Sequence, residues 1–238
     1  MDGGLEVLSI ANPANPVRIS SFQTPGYTSK VDVSGDNIFI ADYFFGMKVI
    51  NISDPSTPHE IGSYEKPGIV SDIAISGNYA YVADVYHGLW SVDVSNPENP
   101  KEVSSFQLPG QSNDIQVRDN YAYMANGTSG LRVIDISNPF NLQEIGFYDT
   151  PDQAYDVEVA GDLVFIADGE AGLRILDISD PLIPTEAGSF VPNDYIYGVA
   201  VSEIYAFVAG YAGMWVVDVS NPTNPTQPTP SPFRRRRQ

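Results

Sequence analysis

The sequence predicts an all-β protein, a β-propeller of four-stranded blades built from a 42-residue repeat. Shifting the chain against itself by 42 residues brings equivalent positions into register over nearly its full length. Within each unit the hydrophobic residues alternate with a period of two rather than 3.6, which indicates strands. Glycine and proline are plentiful, at 20 and 19 residues, and the prolines fall between the alternating segments, where they remove no ladder hydrogen bonds.

Four columns of equivalent residues define the repeat. Two are aromatic, one is proline and one is glycine: Phe22, Tyr64, Phe106, Tyr148 and Phe190; Phe39, Tyr81, Tyr123, Phe165 and Phe207; Pro13, Pro55, Pro97, Pro139 and Pro181, continued by Pro222 after a one-residue deletion; and Gly4, Gly46, Gly88, Gly130 and Gly172, continued by Gly213. A sandwich does not repeat its sequence in this way, and a β-helix has a shorter repeat.

Residues 153–194 show the elements of one unit in order. Four alternating segments are predicted as strands, at 156–159, 163–167, 173–178 and 186–190. A tight turn at 160–162 joins the first two, and a glycine-containing loop at 169–172 joins the next two. Ser179, Asp180 and Pro181 form an Asx-Pro turn before the fourth strand.

Complete units span 27–68, 69–110, 111–152 and 153–194, and partial units span 4–26 and 195–222. First strands line the axis of a propeller, and five are predicted, near Val31, Ile73, Ile115, Val157 and Val199. We therefore predict five blades within domain 1–222, with six blades or an open fragment of a larger ring as alternatives. The strand from Val17 to Phe22 would complete the last blade as its fourth strand. The strand from Leu5 to Ile10, which has the pattern of a third strand, then has no place in the five blades.

The two ends of the chain stand apart from the repeat. Residues 223–238 are rich in proline and threonine and end in four arginines, so we predict a disordered linker with a basic tail. The N-terminus begins in the middle of the third-strand pattern and has no signal-peptide character, so we expect a processed or truncated parent chain.

Composition excludes several classes of function. There is no cysteine, which rules out disulfides and thiolate chemistry. No apolar run approaches the length of a membrane-spanning helix. Four of the twelve basic residues are Arg234 to Arg237, so the rest of the chain carries 30 acidic and eight basic residues and is expected to repel nucleic acid.

The third strand and its turn carry a resemblance to a known family. The segment 130–139 reads GLRVIDISNP and recurs at 88–97, at 172–181 and more loosely at 4–13, 46–55 and 213–222. With the segment NYAYVAD at 78–84, it resembles the LVIVD-repeat proteins over about residues 4–225. The resemblance implies a propeller of the bacterial or archaeal surface type, secreted or at the cell surface, and it supplies no catalytic residues.

Aromatic residues occupy positions where the repeat is broken. We predict a ligand-binding face formed by loops that join the blades and loops that join second to third strands, at the mouth of the channel. Its candidate residues are Tyr27, Tyr43, Phe44, Phe45, Tyr86, His87, Tyr155, Tyr195, Tyr197 and Tyr211. Exposed tyrosine and phenylalanine offer a large contact area at low entropic cost, and the alternative is that several of these rings pack between blades.

Acidic residues recur at the start of the inner strands, at Asp72, Asp114 and Asp156, with Lys30 and Gly198 in the same register. Three interpretations stay open: capping of backbone N–H groups at the strand entrance, binding of a hard cation such as Ca²⁺, and catalysis by paired carboxylates. A second acidic column, Asp42, Asp84, Asn126 and Asp168, ends the second strands, where Asx side chains usually fix the following turn.

No sharper catalytic motif is present. Only two histidines occur, His59 and His87, in different repeats, and there is no phosphate-binding glycine loop or EF-hand-type calcium loop. We therefore predict a non-enzymatic module without a required cofactor that binds a protein or glycan, as part of a larger surface protein. The alternatives are a glycan-active hydrolase or lyase with carboxylates at the channel, and a purely structural array in a surface layer.

Overall fold

The computed structural model of the protein describes residues 4–228, and these residues form 21 β-strands and no helix. The strands form antiparallel sheets in which neighbours along the chain are neighbours in space. The chain divides into two compact units, Met1–Gln107 (unit 1) and Leu108–Gln238 (unit 2). In the described part of the chain, no helix has the length and apolar character needed to span a membrane.

Unit 1 contains one two-stranded and two four-stranded sheets. Their strands are β1 (Gly4–Ser9) and β2 (Val17–Gln23); β3 (Lys30–Ser34), β4 (Asn37–Ala41), β5 (Met47–Asn51) and β6 (His59–Tyr64); and β7 (Val70–Ser76), β8 (Tyr79–Asp84), β9 (Gly88–Asp93) and β10 (Lys101–Phe106).

Unit 2 contains two four-stranded sheets and one three-stranded sheet. Their strands are β11 (Asp114–Arg118), β12 (Tyr121–Ala125), β13 (Leu131–Asp135) and β14 (Gln143–Tyr148); β15 (Ala154–Ala160), β16 (Leu163–Asp168), β17 (Leu173–Asp177) and β18 (Thr185–Phe190); and β19 (Ile196–Ser202), β20 (Tyr205–Gly210) and β21 (Gly213–Asp218).

The predicted fold class is confirmed: the chain is an all-β propeller of 42-residue units. The four complete units fold as four-stranded up-and-down antiparallel blades, and the last unit forms three such strands. Five first strands are present, β3, β7, β11, β15 and β19, as predicted. β2 pairs along its length with β1, from Gly4–Gln23 to Ser9–Val17, so the strand predicted to be left over is the partner of β2. A third-type and a fourth-type strand pair here as they do in the complete blades. That the N-terminal strand completes the last blade stays a prediction.

The hydrophobic core lies between successive sheets of each unit. The second strands are almost fully buried, and their aromatic column supplies Phe39, Tyr81, Tyr123 and Phe165, each no more than 3% exposed. In unit 2, for example, Leu131 and Val133 of β13 pack with Val157 and Ile166 of the next sheet. The period-two pattern therefore buries both faces of the middle strands, because each blade is covered on two sides.

Two glycine columns set the geometry of the blades. Gly130 has a φ of +67°, and a Cβ on it would lie 2.3 Å from the carbonyl oxygen of Tyr148, so no other residue fits this turn without movement. Gly146 contacts the next blade: its Cβ would lie 2.3 Å from the carbonyl oxygen of Pro181 in the Asx-Pro turn. The first column shapes each blade, and the second lets neighbouring blades approach closely.

Part of the segment predicted as a disordered linker is described. Asn221 to Pro228 follow β21, and Thr226 forms an antiparallel bridge with Asp218. The remainder of that segment, including Arg234 to Arg237, lies outside the described residues.

Candidate functional site

Four tyrosines of unit 2 form one contiguous group, the unit-2 tyrosine cluster: Tyr155, Tyr195, Tyr197 and Tyr211. Tyr195 stacks on Tyr211 with ring centroids 5.4 Å apart and planes 13° from parallel. Tyr155 meets Tyr195 edge to face, at 5.7 Å, and Tyr197 lies 5.6 Å from Tyr211. Tyr211 is 79% exposed and Tyr197 46% exposed, so the cluster presents ring faces to solvent.

The first strands bring this cluster together. β15 and β19 pack side by side, and Tyr155 and Tyr197 are equivalent residues near their beginnings. Both were assigned to loops from the sequence and both lie on strands. Tyr195 precedes β19, and Tyr211 lies in the loop between β20 and β21. All four residues were predicted to lie on one ligand-binding face, and the structure brings their rings together.

Hydrogen bonds hold the cluster in place. The hydroxyls of Tyr155 and Tyr195 lie 2.8 Å apart, and Tyr155 also donates to Gln153. The hydrogen bond that Tyr195 donates to Tyr155, together with partial burial, raises the pKa of Tyr195 above its ordinary value, so its hydroxyl stays protonated.

Two carboxylates fix the loops around these rings. Asp194 accepts the N–H of Ala212 at 2.8 Å, next to Tyr211. Asp152 accepts the N–H of Glu170 at 2.7 Å in the equivalent loop of the preceding blade. The unit-2 tyrosine cluster therefore presents aromatic rings from loops that side-chain hydrogen bonds hold in place, and it has acidic side chains beside it.

Unit 1 has a smaller aromatic group. Tyr43 meets Tyr27 edge to face at 6.2 Å and Phe44 at 4.8 Å. Tyr27 and Phe44 are 59% and 64% exposed, whereas Tyr43 is half-buried with a φ of +34°. Phe45 is exposed at 41% and lies against Gly26. The backbone of Tyr43 bonds to Val70 of the next sheet, so this loop joins two blades as well as displaying rings.

Tyr86 and His87 form the same loop one repeat later. The buried carboxylate of Asp84 accepts the N–H groups of Tyr86 and His87 and lies 2.7 Å from the His87 ring nitrogen. Its other oxygen accepts the N–H of Ile69 in the loop that enters the blade. Tyr86 remains 57% exposed. Asp84 therefore fixes the following turn, as predicted for this column, and ties the entry loop to the second strand. The side chains of Asp42, Asn126 and Asp168 bond to the entry loop instead.

The inner acidic column is occupied with backbone groups. Asp114 accepts the N–H of Val157 at 3.1 Å, and Asp156 accepts the N–H of Val199 at 2.7 Å, in each case from the first strand of the next blade. Asp72 accepts the N–H of Ile73 at 2.7 Å. Within residues 4–228, no three histidine, aspartate or glutamate side chains are grouped so that they would hold a metal ion. The geometry supports the first of the three interpretations, capping of strand N–H groups.

A second apolar surface was missed in the sequence. In the Asx-Pro turns, Phe140 and Leu182 are 62% and 57% exposed, where equivalent positions hold Ser56 and Glu98. Leu182 and its neighbour Ile183 border a groove of about 400 Å³ that also includes Glu144, Gly146, Phe147 and Pro184. The signal in the sequence is this break in a polar column.

Comparison with solved structures identifies proteins of similar fold. A functionally unknown protein from Desulfotomaculum acetoxidans DSM 771 aligns at 14% identity with a TM-score of 0.73, over 89% of this chain and 72% of that one. The computationally designed Ika8 protein aligns at 12% identity with a TM-score of 0.72, over 93% and 67% of the two chains. The designed Ika4 protein aligns at 12% identity with a TM-score of 0.57, over 66% and 96%. These likenesses concern the fold alone.

Sequence comparison is more specific. No curated protein sequence matches the chain. The LVIVD repeat model, in contrast, matches five consecutive segments, 25–66, 67–107, 109–150, 151–191 and 195–227, each of which begins just before a first strand. These five segments cover most of the chain and confirm the resemblance carried by the GLRVIDISNP pattern. The chain is a member of the LVIVD repeat family.

Proposed function

We propose that this chain is a non-enzymatic binding or scaffolding module that holds a protein or glycan ligand on the unit-2 tyrosine cluster. The observation that carries the proposal is the stacked pair of Tyr195 and Tyr211, flanked by Tyr155 and Tyr197, with Tyr211 79% exposed. Grouped, exposed aromatic side chains are typical of ligand-binding surfaces.

The cluster is organised before any ligand arrives. Tyrosine has few rotatable bonds, and here the hydroxyl bond between Tyr155 and Tyr195 and the anchoring of Ala212 by Asp194 restrict them further. A ligand therefore orders few side chains on binding, which lowers the entropic cost. Ring faces with hydroxyls and carboxylates beside them suit either the apolar face and hydroxyls of a sugar or the side chains of a peptide.

We propose that the chain is secreted or lies at the cell surface, as part of a larger surface protein, because it resembles propellers of that type. Its charge bears on the partner rather than on the location. Outside the terminal arginines, 30 acidic residues face eight basic ones, which favours protein or glycan partners over nucleic acid.

The alternative, a glycan-active hydrolase or lyase, has no supporting geometry in the residues proposed for it. A catalytic acid and base must stand within working distance of one substrate bond. Asp114 and Asp156 each direct a carboxylate oxygen at a strand N–H of the next blade. They serve the scaffold in this arrangement.

A glycan and peptide array, run with Ca²⁺ and with chelator, tests the proposal. We expect hits that Tyr211→Ala weakens at least about tenfold, since truncating a hot-spot aromatic side chain costs about 2 kcal/mol or more and about 1.4 kcal/mol is tenfold. The matched control is Phe140→Ala, which removes an exposed ring of unit 2 at the opposite ends of the strands. Equal loss with both variants, or no hit under either condition, would contradict the assignment to the tyrosine cluster.

A further inference from the structure

Two neighbouring blades of unit 2 form the groove beside Leu182, the Leu182 groove. One side is β14, the outermost strand of its sheet, and the other is the Asx-Pro turn that leads into β18 of the next sheet. The two sides are close because Gly146 of β14 has no side chain where it meets the carbonyl oxygen of Pro181. The volume of about 400 Å³ is in the range of ligand-binding pockets.

Both sides of the Leu182 groove differ from the rest of the repeat. Phe147 replaces the serine that stands at the equivalent position of four other units: Ser21, Ser63, Ser105 and Ser189. Ile183 replaces a threonine or an asparagine: Asn15, Thr57, Asn99, Asn141 and Asn224. Polar residues are therefore sufficient for the scaffold at both positions. The two apolar replacements belong to different blades and line the same groove.

The apolar side chains of the Leu182 groove are largely uncovered. Phe147 is 53% exposed, Leu182 57% and Ile183 68%. Adjoining exposed apolar side chains are typical of interaction surfaces, because a partner that covers them removes apolar area from water. The Leu182 groove is therefore a candidate docking site, and it lies at the ends of the strands opposite to the unit-2 tyrosine cluster.

The charges around the Leu182 groove indicate what kind of partner fits it. Glu144 lines the groove and shares the guanidinium of Arg132 with Asp149, at 3.5 and 2.7 Å. The side chain of Arg132 is 10% exposed, against 25% for Glu144 and 64% for Asp149. The exposed Asp180 adjoins the groove, since its carboxylate accepts the N–H of Leu182 at 3.0 Å. Because the positive charge is buried and the negative charges lie at the surface, the rim attracts cations and repels anions.

We propose that the Leu182 groove docks a segment of a partner protein in which a bulky aliphatic or aromatic side chain stands next to a lysine or arginine. The apolar side chain of the partner lies against Phe147 and Leu182, and the cationic side chain faces the carboxylate of Glu144. Such a segment matches both properties of the groove, its uncovered apolar side chains and its acidic rim. The proposal concerns a second surface and does not rest on the function proposed for the unit-2 tyrosine cluster.

A random dodecapeptide library displayed on phage, with the full chain as bait, is the probe for this groove. We expect enriched peptides in which a leucine, isoleucine or aromatic residue adjoins a lysine or arginine. The affinities of synthetic versions are then measured by fluorescence polarisation. Enrichment of acidic or purely polar sequences, or no enrichment at all, overturns the proposal.

The repeat supplies the variant that removes the groove surface. Phe147→Ser, Leu182→Ser and Ile183→Thr, made together, give the groove the residues that stand at the equivalent positions of unit 27–68. Passing the library over this variant first removes peptides that bind elsewhere on the chain. The enriched peptides should bind the variant at least about tenfold more weakly than the unmodified chain. Equal affinity for the two proteins overturns the assignment to the groove.

Two control variants leave the groove intact. Phe140→Ser removes a ring of unit 2 that is 62% exposed and does not line the groove, and Tyr211→Ala alters the unit-2 tyrosine cluster. Neither should change the affinity. Loss of binding with Tyr211→Ala assigns the peptides to the tyrosine cluster and overturns docking at the groove.

Glu144→Gln tests the charge of the partner separately. It should weaken binding about two- to fivefold at low salt, and an unchanged affinity overturns the requirement for a basic residue. If the triple variant does not fold, as judged by circular dichroism, Phe147→Ser alone and Glu144→Gln decide the proposal. Sedimentation tests the remaining occupant: self-association of the unmodified chain that the groove variant abolishes overturns the proposed partner in favour of a second copy.

Discussion

Replacing Asp114 by alanine separates the structural interpretation of the inner acidic column from the cation and catalytic ones. Asp114 is 3% exposed and its carboxylate accepts the N–H of Val157, which is 1% exposed. One rung further along the same strands, the side-chain oxygen of Gln116 accepts the N–H of Val159 at 3.0 Å. A neutral amide therefore does at one rung what a carboxylate does at the other.

The expected magnitude follows from these contacts. Asp114→Ala leaves the buried N–H of Val157 without this acceptor, which costs about 1–3 kcal/mol. For a protein of this size, 1 kcal/mol lowers Tm by about 2–4 °C, so a loss of about 2 kcal/mol lowers it by about 4–8 °C. Asp114→Asn keeps an oxygen in place, as at Gln116, and is expected to cost less than about 1 kcal/mol.

Thermal unfolding followed by circular dichroism, with CaCl₂ and with EDTA, measures these effects. Asp162→Ala, which removes an exposed carboxylate in the same unit, is the control and should change stability by no more than about 0.5 kcal/mol. The reasoning is refuted if Asp114→Ala unfolds with the unmodified chain. It is also refuted if CaCl₂ raises the Tm of the unmodified chain but not that of Asp114→Asn, because a cation site loses its charge in that variant.

Three further outcomes follow from other parts of the scaffold. Gly130→Ala combines a φ of +67° with a Cβ placed 2.3 Å from a backbone oxygen, so it should lower the free energy of unfolding, measured by chemical denaturation, by at least about 3 kcal/mol. The control Gly161→Ala should lower it by about 1 kcal/mol, because Gly161 has a φ of +58° but open space where its Cβ would lie. Burial raises the pKa of Asp42 above 3.8, so the stability that this carboxyl contributes is complete below that pH and is lost as the pH rises through the folded-state pKa. Relative to Asp42→Asn, the unmodified chain should therefore be less stable at pH 7 than at pH 4. A difference in stability between the two proteins that stays constant with pH would contradict this. Lys66→Ala removes an ammonium 4.4 Å above the ring of the buried Trp90 and should lower the free energy of unfolding by about 1–2 kcal/mol, measured by urea titration.

The fold was predictable because the repeat records it several times. Each column of equivalent residues indicates one structural requirement, such as the buried aromatic side chain of the second strand at Phe165 or the left-handed turn at Gly130. Because the same residue type recurs in several repeats, each requirement could be inferred with more than one example. The repeat was less informative for the partial unit at the N-terminus. β1 was predicted to be left over, and the structure pairs it with β2 as third and fourth strands pair in the complete blades.

The candidate site was predictable as a set of residues on one face, but not as a cluster of rings in contact. Tyr195 and Tyr211 belong to different loops, and nothing in their spacing shows that their rings stack at 5.4 Å. Their contact depends on how β15 and β19 pack, which is tertiary information. The outer groove at Leu182 was missed for a related reason, since its apolar side chains become one surface only after two blades are adjacent.

Repetition itself explains why the conserved-looking polar columns are poor candidates for chemistry. A residue that recurs in several blades makes the same scaffold contact in more than one of them, as Asp42 and Asp84 do with their entry loops and Asp114 and Asp156 with the next first strand. A ligand surface, in contrast, must differ from blade to blade, because identical loops would offer several equal sites and no single one. The positions that break the repeat, Tyr195, Tyr211 and the exposed Leu182, are therefore the ones that can change to bind a ligand. They can change because the residues of the repeated columns already make the contacts that hold the scaffold together.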